Sequence, residues 1–118
     1  LAPEELELPI AHYAALFFGG AFAMNAVPHI VAGAMGRPFQ SPFAKPPGQG
    51  LSSAPVNVLW GFFNAVLAWL LLARGVPFDA GQWDQALAAG LGALVIALHL
   101  ALHFGRFNGG NLSGQTPP

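Results

Sequence analysis

Apolar residues run along this chain in three long blocks, each free of Asp, Glu, Lys and Arg: 8–36, 46–73 and 85–105. Each block can supply the ~20 apolar residues that cross a hydrocarbon core. A bilayer core offers no water to backbone N–H and C=O groups, so a spanning segment has to be a helix or part of a closed barrel. Leu and Ala dominate the blocks and strict alternation is missing, which selects helix. Pro9 suits a first helical turn and opens a helix over about 9–34; Pro28 lies inside it and predicts a kink near 24–28. Ser52 and Ser53 offer N-cap oxygens, Pro55 fits a first turn, and Gly75 and Pro77 stop a second helix, about 54–74. Asp79 or Asp84 can cap a third, about 83–106, which Gly109 and Gly110 follow. The expected fold class is therefore all-α: one integral membrane domain over 1–118, a three-helix bundle with a Pro/Gly-rich first loop and a mobile tail, 108–118.

Against this background the few polar residues inside the blocks carry information, because polar groups in hydrocarbon are costly and turn toward protein or a guest. They are Asn25 and His29 on the first helix, Asn57 and Asn64 on the second, and His99 and His103 on the third. Helical spacing puts each pair on one face. At a rise of ~1.5 Å per residue, Asn57 and His103 lie roughly 5 Å from one membrane edge, His29 and His99 roughly 7–11 Å, and Asn25 and Asn64 roughly 14–15 Å. Matching depths predict one polar cavity at that end of the bundle, with His12 near the other end and off this face. The plain alternative is hydrogen-bonded glue between helices, worth ~1 kcal/mol or less per contact. Small residues add a second pattern. Asn57, Gly61, Asn64 and Ala68 form a narrow stripe on the second helix, and Ala89, Ala93, Ala97 and Ala101 recur along the third. Contact on two sides of the third helix predicts a homo-oligomer or a larger membrane complex, set against simple Ala-richness.

Composition sharpens the picture. Hydrophobic residues make up 54% of the 118 and charged residues 8%, far below the ~25% charged content of a soluble domain. A net charge of −1 offers no field for nucleic acid. The absence of cysteine removes disulfides, thiolate metal sites and cysteine nucleophiles. The chain opens on Leu1 and not Met, which leaves room for a preceding start or signal peptide. Arg37, Lys45 and Arg106 fall on one side of a three-span arrangement and Arg74 on the other, so the positive-inside rule places the first loop and C-terminus in the cytoplasm and the N-terminus outside. Trp60, Trp69 and Trp83 sit toward span ends, where aromatic belts lie. The first loop, GRPFQSPFAKPPGQGLSSA, is too rich in Pro for helix or strand. It predicts an extended surface path with Phe39 and Phe43 dipping into the interface and Arg37 and Lys45 meeting lipid phosphates or a partner.

Several chemistries are compatible with these groups. A bis-histidine haem b needs two imidazoles facing each other across helices, which His29 with His99 or His103 could supply. His99 and His103 at i, i+4, with His29 as a third imidazole, could hold a transition metal, without any carboxylate in the spans to support them. A hydrolase or transferase fits poorly: the spans hold no acid, and no phosphate-binding loop follows a strand. Ion-coupled transport lacks its usual buried Asp or Glu. The leading expectation is a non-enzymatic subunit or small-ligand-binding component of a membrane assembly. The rivals are a haem or metal redox protein and a His-dependent enzyme acting on a membrane-soluble substrate.

The run NAVPHIVAGAMGRPFQSPFAKPPGQGLSS, followed by VNVLWGFFN, resembles a PHxxxGxxGRPFxSPFAxPPGxGLSS-type segment of small bacterial integral membrane proteins. It covers residues 25–64, about a third of the chain. The resemblance implies a bacterial inner-membrane protein and assigns no chemistry to any residue.

Overall fold

The computed structural model describes residues 8–75 and 77–111, and among them the chain forms three long helices and a minimal hairpin. Helix α1 spans Ile10–Ala34, runs unbroken through Pro28, and starts at Pro9 as the cap residue. Strands β1 (Phe39–Gln40) and β2 (Leu51–Ser52) pair antiparallel, Phe39 opposite Ser52 and Gln40 opposite Leu51. Helix α2 spans Ala54–Trp69 and continues as a wider π-helical turn, Leu70–Gly75. Helix α3 spans Trp83–Asn108 and ends on Gly109, whose φ of 79° is the left-handed conformation that glycine takes without strain. All three helices are long and apolar enough to cross a membrane. The expected tail, 108–118, begins on the last residue of α3, and 112–118 lie outside the described residues.

The caps follow local chemistry, with one correction. Ser53 caps α2: its hydroxyl accepts from Val56 N–H at 3.4 Å, and Pro55 occupies the first turn, where its missing N–H does no harm. Neither Asp79 nor Asp84 caps α3; the cap residue is Gln82, without a side-chain bond. Asp79 instead closes the preceding turn by accepting from Gly81 N–H, and Asp84 accepts from the Tyr13 hydroxyl at 2.6 Å, tying the start of α3 to the start of α1.

Helix α1 packs along both other helices, which barely touch each other, so α1 is the middle of a layer. Its two seams are built differently. Against α3 the backbones meet: a Cβ on Gly20 would lie 1.9 Å from Ala89 O, and one on Gly92 would lie 1.8 Å from Phe17 O. Against α2, Asn57, Gly61, Asn64 and Ala68 are all buried, with Gly61 seated beside Ile30 and Ala26. The α3 packing surface differs from the alanine row expected. Only Ala89, Gly92 and Gly105 are buried on α3, and Ala101 is exposed. Glycine wins because close helix approach requires the missing Cβ, which an alanine row does not provide.

The first loop also departs from expectation. Instead of an extended path it folds back as the β1–β2 hairpin, with Gly48 N–H donating to Ser41 O at 2.8 Å. Pro42, Pro46 and Pro47 lie in the connection between the strands and Pro38 just before β1, where they remove no ladder bond.

Candidate functional site

At the hairpin end of the layer the polar residues of α1 and α2 meet, and the hairpin closes over them. Asn57 is fully buried. Its Nδ2 donates to Phe39 O, Ser52 O and Ser53 O, each at 3.1 Å. These carbonyls can only accept, so the amide nitrogen has to face them and Oδ1 has to face His29. His29 Nδ1 lies 2.7 Å from Asn57 Oδ1 and is therefore the donor. The neutral imidazole then carries an acceptor lone pair on Nε2. His29 is 2% exposed, and Nε2 makes no hydrogen bond among the described residues. The ring is held edge-on by Phe39, Trp60 and Phe104, at centroid distances of 5.5, 6.3 and 5.9 Å.

One layer deeper, Asn25 Nδ2 donates to Asn64 Oδ1 at 2.9 Å, and Asn64 Nδ2 donates to its own helix at Trp60 O, also 2.9 Å. Both amides are thereby oriented, and Asn25 Oδ1 is left without a partner among the described residues. From the third helix, His103 Nε2–H donates to Gly48 O at 2.7 Å, and Asn108 donates to Gln40 Oε1 at 3.1 Å. These two bonds seat the hairpin on α3. Ser41, 1% exposed, lies 2.5 Å from the Ser52 hydroxyl and accepts from Phe43 N–H.

Together these groups form an open-sided cavity of about 170 Å³ lined by Asn25, His29, Ser41, Trp60, His103 and Phe104, among others. Of the six polar residues that spacing singles out within the apolar blocks, Asn25, His29 and His103 line it and Asn57 and Asn64 orient two of those from behind. His99 does not join them: it is exposed, its ring stacked 6.2 Å from that of His103. Among the described residues no three His, Asp or Glu side chains come close enough to hold a metal, so His29, His99 and His103 do not form the three-imidazole centre. Of the imidazoles considered for a haem, His29 is flanked by three aromatic rings, His103 Nε2 is bonded to Gly48 O, and His99 lies outside the cavity lining.

The surface-loop residues divide. Arg37, Phe43 and Lys45 are exposed, Phe43 with its edge on Trp60 at 5.1 Å. Phe39 turns inward onto His29 and Phe104 instead of toward an interface. Trp60 likewise serves the cavity wall, while Trp69 and Trp83 are exposed. His12 has a buried Nδ1 with no partner among the described residues, remote in sequence from the cavity-lining set. The residues that spacing did not point to are Gln40, Ser41, Gly48 and Phe104. Gln40 and Ser41 carry one sequence signal, polar residues set between Pro-Phe pairs, which reads as surface loop until the strand pairing is known.

No protein-family model, curated protein or solved structure matches the chain.

Proposed function

We propose that this is a bacterial inner-membrane protein that binds a small, uncharged, hydrogen-bond-donating ligand in the hairpin-capped cavity. The observation that supports the reading best is the fixed His29: Asn57 holds Nδ1–H, aromatic rings hold the plane, and Nε2 is left as an acceptor on the wall of a cavity. Helix packing alone needs the His29–Asn57 bond but no cavity on its other side. Asn25, on the wall of the same space, leaves its Oδ1 as a further acceptor. Binding is favoured over turnover because the one hydroxyl on the wall, Ser41, is engaged by Ser52 and by Phe43 N–H, so no free nucleophile faces the imidazole. Three charge-poor helices with exposed Leu, Val and Phe around them support a lipid environment. The Lys and Arg distribution supports the hairpin and C-terminus on the cytoplasmic side, with the N-terminus outside. The sparsely buried α3 supports a second copy or a larger membrane complex beside it.

Phenol serves as a minimal probe: a neutral ring with one donor. Titrated into the protein in lipid nanodiscs, it should move the His29 Nε2 resonance in nitrogen NMR of histidine-labelled protein and leave His99 unmoved. His29→Phe should abolish saturable binding. A His29 resonance indifferent to phenol, or binding that survives His29→Phe, would remove the cavity as the site.

A further inference from the structure

The cavity is not isolated. Asn25 also lines a larger groove, about 490 Å³, running away from the hairpin between α1 and α3. Its walls are Phe18, Ala21 and Phe22 from α1 and Val95, Ile96 and His99 from α3. The two spaces differ in chemistry: acceptors and aromatic rings at the hairpin end, nearly unbroken hydrocarbon at the other. The lining residue they share is Asn25, whose Oδ1 is unpartnered among the described residues.

The geometry points to a ligand of one class: a membrane amphipath with a neutral, hydroxyl-bearing head and a single hydrocarbon tail, head in the cavity and tail in the groove. This rests on the cavity being the binding site. The head is limited to neutral groups because the cavity wall has no carboxylate, lysine or arginine, and a hydroxyl suits it because one group can donate to an acceptor such as His29 Nε2 or Asn25 Oδ1 and accept from an N–H of Trp60 or Asn25. A head of this volume has room for one ring or a three-carbon polyol. A second groove of about 450 Å³ between α1 and α3 touches the cavity only at Phe104, so the tail is placed in the groove that shares the polar Asn25. The hairpin covers the outer end of the cavity through His103–Gly48 and Asn108–Gln40, so the groove gives entry sideways from the bilayer. A phenol- or hydroquinone-headed isoprenoid and a monoacylglycerol share this chemistry.

The test uses two photoreactive probes in nanodiscs holding the full chain. Each carries a diazirine at mid-tail; one has a hydroquinone head and the other a glycerol head. The expected result is adducts concentrated on residues 17–22 and 92–99, read by peptide mass spectrometry, and falling at least tenfold in Val95→Trp, which fills the groove. Val95 is 53% exposed, so that change leaves the helix seam intact. The hydroquinone probe labelling alone identifies the ring-headed source, and the glycerol probe alone the acyl source; either supports the inference. Adducts spread evenly onto the outer face of α2 (Leu59, Phe62, Val66), or unchanged by Val95→Trp, overturn it. Phenol separates the two levels: if phenol still shifts His29 while tailed adducts scatter, the site stands and the tail groove falls. If phenol does not shift His29, both fall.

Discussion

Helices α2 and α3 flank the same partner, α1, yet are held to it by different physics. The α2 seam carries amides: His29–Asn57 and Asn25–Asn64 bond across it, and Asn57 also gathers three backbone carbonyls. Such pairs fix rotation and depth, because a one-residue slip leaves several polar groups unpaired. The middle of the α3 seam carries no such pair and depends on backbone contact at Gly20 and Gly92. Glycine contact gives close packing and dispersion. It leaves a hollow wherever the side chains beyond it diverge, and the groove between α1 and α3 is that hollow. The amide seam is specific and filled, while the glycine seam is close at one point and open elsewhere.

Four substitutions break or sharpen this contrast. Asn57→Leu should be the most damaging. It strands the His29 N–H and takes the side-chain donor from Phe39 O and Ser52 O, while Ser53 O keeps the backbone N–H of residue 57; at about 1–3 kcal/mol for each orphaned group, a loss of roughly 3 kcal/mol or more is expected in thermal unfolding in mild detergent. Gly92→Ala should follow at about 2 kcal/mol, since its Cβ meets a backbone oxygen that cannot move without shifting a helix. A distance measurement between spin labels on α1 and α3 should widen with it, and an unchanged distance would sink the backbone-contact account. Asn64→Leu removes one cross-helix bond and should lose only ~1 kcal/mol, because alternative partners are available to Asn25 in the unfolded chain. His99→Leu should change stability by less than about 0.5 kcal/mol, as its exposed ring makes no hydrogen bond among the described residues. A large loss there would show that His99 is covered by something the single chain does not contain.

The helices were legible because charge-free blocks and Pro, Ser and Gly punctuation are local signals. So was the buried stripe Asn57–Gly61–Asn64–Ala68, whose four residues repeat at helical spacing. His29 could be singled out because a polar residue in an apolar block has to find a partner. Three things were not legible. The hairpin depends on contacts distant in sequence, such as Gly48 with His103 and Phe39 with Phe104, which Pro content alone does not disclose. The rotation of α3 follows size more than polarity: His99 and His103 share a face with each other, but Ala89, Gly92 and Gly105 decide which face meets α1. The tautomer of His29 follows only once Asn57 is seen to face three carbonyls.

The bond between Tyr13 and Asp84 has a mechanical meaning. Together with the ties from α3 to the hairpin at the opposite extremity, it fastens the α1–α3 pair at both ends, with the glycine contact as a fulcrum between them. A beam pinned at both ends bows at mid-length more readily than it slides. Widening of the groove should therefore leave its ends in place, as a slot flexes in a spring clip.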